Sequence, residues 1–442
     1  MEKEPCERQL ALRPEPVEIG AEFPALPRVI PHPTMSPRLR FPVLVSALAL
    51  AFATAPLARA ADRPSPNSQL PSSSAAQRPN ILFIFADDQS YKTVGCYPES
   101  FPWVRTPHID ALAARGVRFH AAYLGSWCMP SRAALLTGRH PHGIESMRMA
   151  RPYPSSAYDP AVARFWPAEL RKHGYHTAQI GKWHTGTDSG WARDWDHQIV
   201  WNRPLHPENA GAYYERQLLG IDGQERWVDG YPADNYTDWA IDYIRGKTRT
   251  SAPAKPWFLW LCYGSIHGPS KPAARHKGKY AGAPVPEPKD LFPPRPGKPA
   301  YLELTQAWNR DTDGTAVIGR SGEAFGDTSG GGRQTFADFV HQMNECVPAV
   351  DEGVGRLMEA LRETGQFENT IVIYSADQGF AMGEHGFRTK LGPWDTNYRS
   401  AMIIAQPGTI EAYLASSASM AVDRSAKLAP SPPGVMTWVP LT

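Results

Sequence analysis

Six consecutive apolar residues, Ile81 to Ala86, run straight into two acids, Asp87 and Asp88, in the stretch NILFIFADDQ. A strand that is apolar at every position has no side to show to water, so it belongs inside a parallel sheet covered on both faces. The same design returns far downstream in TIVIYSADQGF, where Ile371 to Tyr374 lead into Asp377 and Gln378. Ligands of open α/β sheets collect outside the carboxyl ends of the strands, so Asp87, Asp88, Asp377 and Gln378 converge if the two strands lie close together. Three carboxylates packed together repel one another and call for a cation. An all-oxygen donor set suits a hard ion, Ca²⁺ before Mg²⁺, rather than zinc. Taken singly, acids after a strand are more often turn formers or helix caps, and for either stretch alone that alternative stays open.

Between these strands the pattern alternates. TPHIDALAARG predicts a helix with Thr106 as cap, Pro107 in its first turn, Ile109, Leu112 and Ala113 at helical spacing, and Gly116 as stop. PAELRKHGYHTAQIGKWH predicts a helix ending at Gly174, then a short strand feeding Lys182 and His184. PWFLWLCYGSIHGP supplies another apolar strand, Phe258 to Tyr263, which ends near His267. From Phe336 apolar residues recur at 339, 340, 343, 347, 350, 354, 357, 358 and 361, an amphipathic helical pattern up to Gly365 that Pro348 is expected to kink or split. The alternation predicts an α/β fold with a doubly wound, mostly parallel sheet flanked by helices.

A third stretch carries a different signal. WCMPSRAALLTGRH sets Cys128 two residues before Pro130 and four before Arg132, where a helix is expected to begin around Pro130 and end at Gly138. The thiol then lies at the positive end of a helix. It is either an activated thiolate or the anchor of a site that receives an anion. A cysteine phosphatase fits poorly, because Arg132 comes too soon after Cys128 for the loop between them to cradle an anion.

Composition narrows the class. With 442 residues, 42% hydrophobic and 20% charged, the chain is too apolar to be disordered, and its net charge of +2 gives no support for nucleic-acid binding. Residues 35–60 (MSPRLRFPVLVSALALAFATAPLARA) carry arginines, then a short apolar run interrupted by prolines, then Ala58-Arg59-Ala60, which reads as a signal peptide for export rather than a lasting membrane span. Residues 1–34 precede a natural start at Met35 and are expected to be a spurious extension, and 61–78 form a Pro/Ser-rich linker. Removing the leader removes Cys6. The remaining Cys96, Cys128, Cys262 and Cys346 are too few for a disulfide framework and offer no C-x-x-C pair for zinc.

In order, Asp87-Asp88, Cys128-Met129-Pro130-Ser131-Arg132, Lys182-Trp183-His184, His267, Asp377-Gln378 and Lys390 resemble the sulfatases, a branch of the alkaline phosphatase superfamily. CMPSRAALLTGR is the most specific part, and TPHIDALAARGVRF, GKWH, GYPADNYTDWAIDYI and GEHG also match stretches of that family over about 79–408, the expected catalytic domain. The resemblance implies an alkaline phosphatase-like fold and hydrolysis of a sulfate ester. It implies that Cys128 is a precursor, oxidised to formylglycine by a maturation enzyme that reads the unfolded chain. One hydroxyl of the hydrated aldehyde would attack sulfur, and the other would drive release of sulfate. By the same resemblance Asp87, Asp88, Cys128, Asp377 and Gln378 hold Ca²⁺ (or Mg²⁺), and Asp377 accepts the nucleophile's proton. Arg132 positions the formylglycine, Lys182 and Lys390 offset sulfate charge, His184 bonds the diol, and His267 protonates the leaving alcohol. Gln378 stands where asparagine or histidine is often found, but its amide oxygen can still ligate.

Two rival readings share these residues. A formylglycine-dependent phosphonate monoester or phosphodiester hydrolase would use the same nucleophile. A truncated, inactive binding protein is suggested by 409–442, a proline-rich tail where sulfatases usually continue into a small subdomain. The expected substrate is a sulfated carbohydrate or aryl sulfate, since some of the fourteen tryptophans can stack on sugar. Residues 281–335, with seven prolines between Pro284 and Pro299, read as a long surface loop suited to specificity.

Overall fold

The computed structural model describes residues 78–144, 164–249, 255–304, 307–318 and 334–406. The expected leader, nearly all of the linker and the tail 409–442 lie outside the described residues. In chain order the elements are β1 (Asn80–Ala86), α1 (Pro107–Ala114), β2 (Val117–Arg118), α2 (Cys128–Thr137), α3 (Trp166–Lys172), β3 (His176–Trp183), β4 (His197–Asn202), β5 (Gln217–Ile221) and β6 (Gln224–Val228). Next come α4 (Pro232–Ile244), β7 (Trp257–Cys262), β8 (Trp308–Arg310), β9 (Ala316–Ile318), α5 (Phe336–Glu363), β10 (Thr370–Ala376), β11 (Ala381–Met382), β12 (Arg388–Thr389), α6 (Asp395–Tyr398) and β13 (Met402–Ala405).

One nine-stranded sheet has the order β2-β13-β10-β1-β7-β3-β4-β5-β6. Its middle, β10-β1-β7-β3-β4, is parallel throughout. Antiparallel strands close both sides, β13 and β2 beyond β10, and β5 and β6 beyond β4. The fold is therefore α/β with a mixed sheet, parallel where the sequence shows continuous apolar strands.

The sheet's two faces explain those runs. Leu82 and Ile84 of β1 pack with Ile109 and Leu112 of α1, with α4 and with α5, whereas Phe83 and Phe85 pack with Leu136 of α2 and the α3 region. Each strand must satisfy both sides, so alternation vanishes and every position is apolar. Register sets where the chain emerges beyond each strand. Ala86 pairs with Ala376, so the next residues, Asp87 and Asp377, leave the sheet side by side. On the other side Phe85 pairs with Cys262, which also faces Gly181 of β3, so Lys182 emerges next to them. A Cβ on Gly181 would lie 2.1 Å from the Cys262 carbonyl, so only glycine allows β3 to pass this close (φ 106°).

Helix ends depart from the sequence reading in instructive ways. α2 starts at Cys128, two residues before the expected Pro130, because the proline's missing N–H falls in a first turn whose donors have no helical partner. Its end matches, with Gly138 left-handed at φ 66°. In α1, Thr106 makes no side-chain cap, and its hydroxyl instead donates to Asp110 at 2.9 Å. Gly116 does not stop the helix with a left-handed turn. It permits close passage, since a Cβ there would meet the Ile404 carbonyl at 2.3 Å. α5 runs unbroken for 28 residues through Pro348, because burial of its long apolar face outweighs one lost hydrogen bond.

The cap that Thr106 does not provide comes from α5. Asp351, 3% exposed, accepts from the backbone N–H of His108 at 3.1 Å and Ile109 at 2.9 Å, placing a carboxylate at the positive end of α1. Burial is the largest influence on this carboxyl and lifts it to about 6. A raised carboxyl in the folded chain contributes most stability when protonated, and that contribution is lost as pH rises through the folded value. Asp351→Asn mimics the protonated form at every pH. The stability of the wild type relative to this variant, from urea unfolding, is expected to fall by on the order of 2 kcal/mol as pH rises from about 4 to about 6.5. A difference independent of pH would contradict the assignment.

Candidate active site

Five strand ends and one helix start meet at the carboxyl edge of the parallel strands. β1 delivers Asp87 and Asp88, β10 delivers Asp377 and Gln378, β3 delivers Lys182 and His184, and the connection after β7 delivers His267. The N-terminus of α2 brings Cys128 and, one turn on, Arg132, while the segment after β12 brings Lys390. Oxygen or sulfur atoms of Asp87, Asp88, Cys128 and Asp377 all lie within 4.8 Å of one another, and all four residues are buried.

Cations hold this acidic cluster together. Arg132, 0% exposed, donates Nε and Nη2 to Asp377 Oδ2 at 3.1 and 3.0 Å, lies 3.6 Å from Asp87 Oδ1, and packs over the Phe85 ring. Its Nη1 donates to the Lys182 carbonyl at 3.2 Å, tying α2 to the end of β3. Lys182 donates to Asp87 Oδ2. Lys390 donates to both oxygens of Asp88 at 2.8 and 2.9 Å and stands 3.1 Å from Cys128 Sγ. The Asp88 N–H donates to Asp377 Oδ1 at 3.0 Å, which fixes the two strand ends to each other.

Charge distribution is set by these contacts. Burial opposes ionisation of Asp87, but the cations beside it, Lys182 foremost and Arg132, hold its carboxyl well below the usual range. Asp377 goes the other way, pushed up to about 7 by burial and by Asp87 beside it, against the pull of Arg132. Burial pushes the Cys128 thiol up to about 12, with Asp87 adding to it and the lysines opposing. As a cysteine this group is a buried thiol, and the activated-thiolate alternative loses its support. Burial and then Lys390 lower His267 to about 3, and burial with Lys182 and Arg203 lowers His184 far below its usual value.

The residues fit a hard cation. Asp87 Oδ1 and Gln378 Oε1 are buried without a hydrogen-bond partner among the described residues, and both are oxygen donors at the rim of the carboxylate cluster. Gln378 Nε2 donates to Asp88 Oδ1, so the amide lies within ligating reach of the same carboxylates.

The remaining expected residues divide. His267 Nε2 faces Asp88 Oδ2 at 3.5 Å, while its Nδ1 is 2.7 Å from the Gly268 carbonyl. His184 stands with its ring nitrogens 3.3 and 3.4 Å from Arg203 Nη1 and edge-on to Trp127, and no hydrogen bond joins it to Cys128 among the described residues. His385 is bound to Asp290 at 2.6 Å and packs on Trp394, outside the cluster. His176, His197 and His276 are taken up by Tyr243, Asp222 and Glu352. Sequence reasoning missed Tyr213, stacked on His267, and Arg203, against His184. The paired tyrosines of GAYYER and the arginine of WNRPL have no spacing that ties them to the site. Of the expected specificity loop, 281–304, 307–318 and 334–335 are described, including the small β8–β9 hairpin.

Comparison with known proteins agrees with this geometry. The Sulfatase family model matches residues 79–432. The chain is 29% identical over 397 residues to an N-acetylglucosamine-6-O-sulfatase of Bacteroides thetaiotaomicron, covering 80% of this chain and 67% of that protein. It is 28% identical to human iduronate 2-sulfatase (77% and 62% covered) and 31% identical to human arylsulfatase A (69% and 52%). The chain thus spans roughly half to two thirds of these relatives' own lengths. A solved structure in complex with its substrate D-glucosamine-2-N,6-O-disulfate superposes with a TM-score of 0.60 at 25% identity, covering 75% of this chain and 72% of that one.

Arg132 is the test of this charge balance. Arg132→Met leaves two buried carboxylates facing each other, and without added divalent ion it is expected to lose about 3–5 kcal/mol in urea unfolding. Adding Asp377→Asn should restore part of that loss, because the repulsion is then removed. Equal and additive losses from the two substitutions would show that the residues do not act on each other.

Proposed function

The chain belongs to the sulfatase family, and on that premise we propose that it hydrolyses a sulfate ester to inorganic sulfate and an alcohol, using formylglycine made from Cys128 and a Ca²⁺ ion held by Asp87, Asp88, Asp377 and Gln378. The observation that carries the reading is the meeting of Cys128 with three carboxylates within 4.8 Å and with the Lys390 ammonium 3.1 Å from its sulfur. Such a site is matched to a group that is nucleophilic at the former sulfur position and to an anion that both lysines can grip. Calcium, with Mg²⁺ as the substitute, supplies Lewis acidity and orientation, and the hydrated aldehyde supplies the attacking hydroxyl.

The chain's own groups take the remaining tasks. Lys182 and Lys390 neutralise sulfo oxygens, which matters most in a buried site with little water to screen it. Asp377, held by Arg132 beside Cys128, accepts the proton of the attacking hydroxyl. Arg132 holds Asp377 and the start of α2 in register. His184 lies on the wall beside Trp127 and assists release of sulfate from the enzyme. His267 protonates the departing alcohol from Nε2. In the free site burial and then Lys390 keep it from holding a proton although Asp88 and Asp87 pull the other way, and a negative sulfo group would add to that pull.

Burial of Cys128 at 0% exposure supports oxidation of the nascent chain by a separate maturation enzyme, since a folded chain gives such an enzyme no access. A sulfated carbohydrate is favoured as substrate by the relatives named for N-acetylglucosamine 6-O-sulfate and iduronate 2-sulfate. The signal-like stretch 35–60 supports export, and no helix among the described residues is long and apolar enough to cross a membrane.

Mass spectrometry of the tryptic peptide Phe119–Arg132, from a host with the maturation system, is expected to find an aldehyde at position 128. The same protein should turn over 4-nitrophenyl sulfate faster than phenyl phosphonate, and Cys128→Ala should turn over neither. Calcium should raise the melting temperature, and less so in Gln378→Leu. A thiol at 128 with undiminished turnover would reject the mechanism, and preference for the phosphonate would reassign the substrate.

A further inference from the structure

His267 sits on a connection with no strand or helix of its own to fix it, yet its ring is held in three directions. Nδ1 lies 2.7 Å from the Gly268 carbonyl, so Nδ1–H donates there and Nε2 is left facing the site. The Tyr214 hydroxyl donates to the His267 carbonyl at 2.6 Å and anchors the backbone. The Tyr213 ring lies parallel to the imidazole, with centroids 3.9 Å apart and planes 7° from coplanar. From this arrangement we infer that Tyr213 is a positioning residue for the leaving-group acid, acting through its ring on His267, an inference that rests on the proposed role of His267.

Tyr213 is itself closely packed. It is 3% exposed and meets Trp201 edge-on at 4.7 Å. The Arg203 guanidinium stands 4.9 Å from the ring centroid and the Lys182 ammonium 5.1 Å. Cations over an aromatic face are attracted to it, so the ring is gripped by the same charges that line the site. An imidazole bonded at Nδ1 can still rock out of its plane. A parallel ring in contact with one face removes that freedom and leaves one direction for Nε2, toward Asp88 Oδ2 at 3.5 Å. Proton transfer needs a narrow heavy-atom separation, so a tilted imidazole loses rate without losing its chemistry.

This role separates from a merely structural one by its dependence on the leaving group. A nitrophenolate departs without help, whereas a sugar alkoxide needs its proton. Matured wild type, His267→Ala, Tyr213→Phe and Tyr213→Leu are compared on 4-nitrophenyl sulfate and on glucosamine 6-sulfate. His267→Ala is expected to lose about 100-fold in kcat on the sugar sulfate and only a few-fold on the aryl sulfate. Tyr213→Leu should show the same skew, and Tyr213→Phe, which keeps the ring, should keep the wild-type ratio. In the ¹H–¹⁵N spectrum of the unmodified protein, the His267 ring signal, assigned by its absence in His267→Ala, should move downfield in Tyr213→Leu and stay in Tyr213→Phe as ring-current shielding is lost or kept. Equal losses on both substrates in Tyr213→Leu, an unmoved ring signal, or a skew in Tyr213→Phe would overturn the inference while leaving His267 as the acid. An unskewed His267→Ala would remove the acid itself, and the inference with it.

Discussion

Everything at this site depends on three carboxylates being forced together where water does not reach. The pairing of Ala86 with Ala376 at the ends of β1 and β10 leaves Asp87 and Asp377 no other place to go, and both are 0% exposed. Two like charges at about 4 Å repel by roughly 4 kcal/mol even with generous screening. Hydrophobic burial of the strands sets that geometry, and electrostatics must then accommodate it. Arg132, Lys182 and Lys390 supply three positive charges against three potential negative ones, and a shift of Asp377 toward its neutral form relieves what remains. A site balanced this way can exchange partners cheaply. In the proposed reaction an incoming anion would release lysines from carboxylates, and an incoming cation would take over the carboxylates the lysines leave.

Much of this was legible in the chain because the causes are local. Continuous apolar runs are what strands covered on both faces require, so Ile81–Ala86 and Ile371–Tyr374 announce a parallel centre, and the residues after them announce the site. The Cys128-x-Pro130-x-Arg132 spacing is legible since one helical turn carries it. Other features depend on partners distant in sequence. The antiparallel edges β13-β2 and β5-β6 are short or half-exposed and carry little periodicity. Thr106 reads as a cap, but the cap is Asp351, which no local rule connects to α1. Pro348 reads as a break, and only the burial of α5 against α1 and α4 explains why the helix continues.

The same limit hid the wall of the site. Tyr213 and Arg203 come from the region around β4 and β5, outside every motif, and they matter only because the fold lays them over His267 and His184. Arg203 is one of 46 basic residues and Tyr213 one of 17 tyrosines, so residue type alone could not single them out. Groups that react must be of the right chemical kind and so leave a trace in a motif. Groups that aim them need only shape and contact, which many residues can supply.

The two histidines show why aiming matters here. Both are held neutral, His267 by burial and Lys390, and His184 by burial with Lys182 and Arg203. The lysines that would grip a sulfo group are thus the same charges that strip protons from the imidazoles in its absence. A negative group held by those lysines would offset their charge and ease protonation of the imidazoles. In the proposed reaction the acid is therefore armed by the substrate. A ring that could turn away while neutral would gain its proton facing the wrong direction, so the parallel contact with Tyr213 has to exist before substrate binds, as it does in this chain.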